Sequence, residues 1–208
     1  MPVMNDREYR RIDISNIECR DDDNGKVVEG YATVFEREYQ LYNLGDYEVR
    51  ESFDRASFNS ADMQDVIMQY DHEGRVFARV SNGTLQVHPD EHGLKIRANL
   101  GGTEIGQQLY EEIKGGYTTK MSIGFTVSKE ERTEERTDDK TIIHRKITGV
   151  KKLYDVSAVS LPANDATEIS ARNLCEGAIA KIEEERLADM ERQRKIKKIK
   201  LLMEVNAK

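Results

Sequence analysis

The sequence predicts a mainly β chain of the α+β class with a long helical tail at its C-terminus. Runs rich in β-branched and aromatic residues recur between turn signals up to about residue 161. A few short packed helices interrupt them, the clearest an amphipathic one capped at both ends near residues 103–116. From Asn173 onward there is no proline, and Glu, Lys, Arg and Leu dominate.

Arg11 to Ile17 alternates weakly and reads as a strand. The polar turn DDDNG separates it from Lys26–Phe35 (KVVEGYATVF), a clearer strand. Residues 36–50, with scattered tyrosines, read as a loop. Phe53, Ala56 and Phe58 in Glu51–Ser60 stand near helical spacing and predict a short helix. Asp65–Tyr70 (DVIMQY) reads as a buried strand. Thr84–Val87 and Leu94–Leu100 flank HPDEHG, whose Pro89, Asp90 and Gly93 make a hairpin turn.

The helix follows. Thr103 caps it, Ile105, Leu109 and Ile113 form one face, and Gly115 or Gly116 stops it. Lys120–Val127 alternates with period two, placing Met121, Ile123, Phe125 and Val127 on the core face. A polar loop, KEERTEERTDDK, leads to strands at Thr141–Val150 and Lys152–Leu161, the second ended by Pro162. The organisation is therefore an N-terminal segment (1–24), a domain over 25–170, and a helical tail (171–208). The tail keeps no strict heptad, which favours a docking or self-associating helix over a coiled coil.

The 208 residues hold 38% hydrophobic and 34% charged side chains, enough for one core under a heavily solvated surface. A net charge of -7 argues against a chain that coats nucleic acid or an anionic membrane. Locally basic stretches such as RQRKIKKIK (192–200) could still do so. Cys19 and Cys175 give neither a disulfide framework nor a zinc pattern. The N-terminus MPVMNDREYRR has no apolar signal segment, and no run approaches the ~20 apolar residues of a membrane helix. These features predict a protein kept inside a cell, or inside a particle assembled there.

Ser122 stands on the second face of KMSIGFTV, with Lys120, Gly124 and Thr126. Gly124 has no side chain, so another backbone, such as a substrate's, can come close there. Spacing alone leaves Ser122 either a nucleophile or an ordinary exposed serine. A serine hydroxyl needs a base. His72, in YDHEG, follows directly on an apolar strand, where a side chain is held firmly. His144 lies mid-strand beside the acidic loop. His88 and His92 match H-x-x-E-H, but that metal pattern needs helical spacing and here falls on a hairpin turn. Asp155 sits in LYDVSAVSL, apolar on both faces, and a carboxylate there requires a partner. That partner is a histidine awaiting orientation, a Lys or Arg, or solvent at a strand end.

Several segments together resemble the prohead proteases of tailed bacteriophages, whose fold is shared with herpesvirus assemblins. They are VEGYATVFE (28–36), ESFDRASF (51–58), YDHEG (70–74), HGLKIRANL (92–100), KMSIGF (120–125) and LYDVSAVSLPAN (153–164). They occur in the family's order and cover roughly residues 25–170. The resemblance implies a closed β-barrel core with Ser122 as nucleophile and His72 as its base. Asp155 falls where the family usually has an acidic residue, commonly Glu. The flanks Asp71 and Glu73 depart from the usual Asn and Asp, and would raise the pKa of His72. Ala56-Ser57-Phe58 stands for Gly-Ala-Phe.

Oxyanion donors are sought at the Pro162 turn, on Ala163 and Asn164. The implied mechanism is acyl-enzyme proteolysis without a cofactor. The implied partners are the major capsid protein or a separate scaffold, with self-cleavage inside the immature shell in the host cytoplasm. The alternative is a non-enzymatic assembly protein that keeps the fold.

Overall fold

The computed structural model describes residues 7–13, 17–22, 25–43, 45–159, 177, 179–180 and 183–199. The chain divides into two compact units, Met1–Ala171 and Arg172–Lys208. In the second, residues 183–199 are helical.

The elements of the first unit, in order, are β1 (Glu8–Asp13), β2 (Glu18–Asp22), β3 (Gly25–Val34), β4 (Tyr39–Asn43), β5 (Tyr47–Phe53), β6 (Ile67–Tyr70), β7 (Glu73–Arg79), β8 (Leu85–Pro89), β9 (Gly93–Asn99), α1 (Glu104–Lys114), β10 (Lys120–Arg136) and β11 (Thr141–Val159). The hairpin and the helix lie where the sequence predicts them. Thr103 caps α1 by accepting from Gly106 N, and Leu109, Tyr110 and Ile113 are buried.

Four expectations about the elements are corrected. The strand expected over Arg11–Ile17 is two, β1 ending at Asp13 and β2 starting at Glu18 and running into the expected DDDNG turn. Residues 36–50 are not a loop, because β4 and the start of β5 lie there. Glu51–Ser60 is not a helix. After β5 it runs through overlapping turns, Ser57 N donating to Asp54 O (3.0 Å) and Asn59 N to Ala56 O (3.1 Å). Phe53 and Phe58 still meet, their ring centroids 5.8 Å apart. Successive i to i+3 turns thus imitate helical spacing. Finally, KEERTEERTDDK is mostly the exposed half of β10, and the two strands expected after it are one strand, β11. Backbone pairing and cross-strand ion pairs hold this charged ribbon, such as Arg145 Nε donating to Glu130 Oε2 (2.7 Å).

The strands form a seven-stranded sheet, ordered β1-β10-β11-β5-β4 with β6 and β7 branching from β11, and a four-stranded sheet, β2-β3-β9-β8. One hydrophobic cluster joins them, with Val28, Leu94 and Ile96 from one sheet and Phe53, Met68, Ile123, Phe125 and Val156 from the other. The closed barrel is not what the pairing describes. Among the described residues no ladder links the two sheets, so this is two packed sheets.

The long strand β11 is the organiser. It pairs with β10 on one edge and with β5 and then β6 on the other. Its register sets Ser157 opposite Ser122 and Asp155 opposite Gly124. On the far edge, Ala158 pairs with Tyr70, the last residue of β6.

Candidate active site

The turn from β6 to β7 delivers His72. Tyr70 pairs with Glu73, leaving Asp71 and His72 as a two-residue hairpin loop. Both have positive φ, 48° and 62°. A tight hairpin with right-handed twist favours positive φ at both central positions, at a cost for residues with a Cβ. Asp71 N donates to Ala158 O (3.0 Å), which fastens the loop to β11.

His72 thereby reaches two strands at once. Its Nε2 lies 2.5 Å from Ser122 Oγ. Its Nδ1 lies 2.5 Å from Asp155 Oδ1. Asp155 is fully buried, so its carboxylate needs donors. Nδ1–H is one, and the buried Ser157 Oγ is another at 2.7 Å. An ionised carboxylate only accepts, so the ring proton sits on Nδ1. Nε2 is left with a lone pair aimed at the serine hydroxyl. Of the three partners left open for Asp155, the histidine and an arginine, Arg7, are both present.

The electrostatics of His72 differ from the expectation. Asp71 and Glu73 do not raise its pKa. Burial pushes it down, the nearby Arg7 guanidinium adds to this, and it falls from 6.5 to about 4. At neutral pH the imidazole is therefore uncharged, the form a general base requires.

Gly124 also plays a different part. A Cβ there would collide with the Asp155 carboxylate and the Arg7 guanidinium. The close approach it permits is made by the chain's own side chains, not by a substrate backbone. Both faces of β10 are buried over Met121–Thr126, and Ser122 is only 2% exposed. Ala163 and Asn164, sought as oxyanion donors, lie outside the described residues. His88 and His92 belong to the β8–β9 hairpin, where Asp90 Oδ1 accepts from His92 N (2.8 Å) and Gly93 N (3.0 Å). His144 pairs with Glu38 (2.6 Å) on the surface.

Three residues of the site escaped sequence reasoning: Arg7, Tyr9 and Ser157. Arg7 binds Asp155 Oδ2, and Tyr9 packs edge-on against the His72 ring at 4.5 Å between centroids. Only Ser157 left a signal, at i+2 from Asp155 on the same strand face. A cleft of about 620 Å³ flanks the histidine turn, lined among others by Asp71, Glu73, Phe77, Leu109 and Glu112.

A hydroxyl, an imidazole and a carboxylate in hydrogen-bonded series on a mainly β scaffold define a candidate hydrolase of the triad type. A family model described as caudovirus prohead serine protease matches residues 13–179, and the chain belongs to this family. It is thus a bacteriophage protease of capsid maturation. Among solved structures it is similar to the bacteriophage T4 capsid assembly protease, gp21, at 12% identity and a TM-score of 0.42. That match covers 74% of this chain and 98% of the other. No curated protein matches.

Proposed function

We propose that this chain is a serine endopeptidase in which His72 takes the Ser122 proton and Ser122 Oγ attacks a peptide carbonyl. The imidazolium that forms is stabilised by Asp155, itself held by Ser157. The imidazolium then protonates the leaving amine, and water releases the acyl group by the same route. The observation that carries this is the unbroken relay: 2.5 Å from Ser122 to His72 and 2.5 Å from His72 to Asp155. Family membership supports the same roles.

The substrates are the scaffolding region of the major capsid protein or a separate scaffold, together with the chain itself. The tail past residue 170 is the scaffold-binding, self-cleaved extension, and its basic run 192–200 suits an acidic partner. Self-association follows from packing many copies within one shell. The work is done inside the immature capsid, in the host cytoplasm. Among the described residues no helix is long and apolar enough to cross a membrane.

The test is co-expression with the phage's capsid and scaffold proteins, comparing the chain with its Ser122→Ala variant by intact mass. The proposal predicts trimmed capsid or scaffold, and loss of the tail, only with Ser122 present. Full-length products in both, in assembled shells, would instead favour a non-enzymatic assembly protein.

A further inference from the structure

The N-terminal strand β1 covers the free edge of β10, the strand that carries Ser122. It is the edge strand beside β10, running antiparallel to it, with Arg11 opposite Ser122. Its residues alternate in role. Glu8 and Arg10 reach a buried ion cluster, in which Arg10 Nε donates to Glu51 Oε1 (2.5 Å) and Arg145 Nη1 to Glu8 Oε2 (2.8 Å). Arg7 and Tyr9 turn the other way, onto Asp155 and His72. Arg7 is held between two aromatic rings, 5.0 Å from the Tyr9 centroid and 4.6 Å from that of Tyr154. The family match begins at residue 13, where β1 ends.

Two contacts of this N-terminal segment, from the Arg10 carbonyl and the Arg7 guanidinium, oppose catalysis. The Ser122 hydroxyl has one proton and two acceptors in reach, His72 Nε2 at 2.5 Å and the Arg10 carbonyl at 3.0 Å. A proton given to Arg10 O is not available to the base. Arg7 neutralises the carboxylate that must stabilise the imidazolium, and its charge disfavours that imidazolium directly. With Ser122 at 2% exposure, no polypeptide reaches the hydroxyl while β1 is in place.

We propose that β1 is a built-in inhibitory strand that occupies the substrate's place along β10, and that its release opens that edge to an extended polypeptide. The incoming chain pairs antiparallel with β10 in β1's stead and presents its carbonyl where Arg10 O now sits. Glu8 and Arg10 anchor the latch, and Arg7 is its bolt. The proposal rests on Ser122 being the nucleophile.

The test uses the full chain with a site-specific protease recognition sequence placed between β1 and β2. The rate at which a fluorophosphonate probe labels Ser122 is measured before and after cutting there, and again after a synthetic peptide of residues 1–13 is added back. Release should speed labelling at least about tenfold, as the competent fraction rises, and the peptide should reverse it. Arg7→Ala in the uncut chain should speed labelling in the same direction.

Equal labelling of Ser122 before and after release would overturn the latch and leave the nucleophile intact. Loss of the near-ultraviolet circular dichroism signal on release would equally overturn it, making β1 part of the core. Absence of label at Ser122 in every form would overturn both the latch and the catalytic assignment.

Discussion

Two fully buried carboxylates lie to either side of β1 and are treated in opposite ways. Glu51 is surrounded: Arg10, Arg145 and Tyr39 all donate to it. Burial pushes its pKa up, but the two guanidiniums outweigh this and hold it low. Asp155 is spent differently. One oxygen serves His72 and Ser157, and the other faces Arg7. The first cluster is closed, every charge bonded to several others, and it fixes the end of β1. The second is a line that ends in a hydroxyl, whose proton the His72 Nε2 lone pair can take while Asp155 stays ionised. Charge burial alone does not mark a functional site; what distinguishes this one is that its hydrogen-bonded line ends on a serine hydroxyl.

The comparison breaks most sharply at the end of the line. Ser122→Ala should lower proteolysis by about 10⁶-fold while the unfolding midpoint stays near wild type, as read by peptide turnover and thermal melting. Asp155→Asn should cost about 10⁴-fold in kcat, because the amide favours the wrong imidazole tautomer. Steady-state kinetics on a capsid-derived peptide would measure it.

The closed cluster should answer in stability instead. Glu51→Ala leaves Arg10 and Arg145 buried without their shared partner, and should cost about 3–5 kcal/mol in urea unfolding. Gly124→Ala comes next. Its methyl meets the Asp155 carboxylate and Arg7, and the displaced relay should lose about 10²-fold in turnover.

The smallest effect is in pH. His72 faces Asp155 on β11, Ser122 on β10 and Arg7 and Tyr9 at β1, with Asp71 and Glu73 beside it in its own turn. Activity requires the neutral ring, whose pKa is lowered to about 4. With β1 in place the His72 ring should therefore titrate near pH 4 and not near 6.5 by NMR, and release of β1, which takes Arg7 away, should raise the acid limb of kcat/KM. Because the unfolded chain binds this proton more readily, stability should fall as pH drops from about 6.5 through about 4. A ring titration near 6.5 in the uncut chain would mean that Arg7 and burial do not act on His72 in solution.

How much of this was legible depended on whether a residue's constraint was local. The apolar strand before His72, the apolar setting of Asp155 and the two-sided alternation around Ser122 are written within a few residues each, but spacing alone left each role open and the ordered motifs shared with the family carried the assignment. The capped helix and the β8–β9 hairpin were legible from their local signals. Arg7 was not: it pairs across 148 positions with Asp155 (155 minus 7), and nothing in NDREYRR indicates that partner. The outer half of β10 was misread because both its faces are charged, as a solvent-exposed ribbon allows. Gly124 was marked as a place where a substrate backbone comes close, and in the structure the Asp155 and Arg7 side chains stand there instead. Only the register of β10 on β11 reveals that the approaching group is the carboxylate opposite.

The central claim is that His72 activates Ser122, and one measurement reaches it most directly. The β1-released chain is treated with a fluorophosphonate at neutral pH, alongside its His72→Ala variant, and the adduct is mapped by peptide mass spectrometry. The account predicts a single adduct on the Ser122 peptide, its rate lowered by several orders of magnitude in the variant. An adduct on another residue, or equal rates with and without the imidazole, would contradict it.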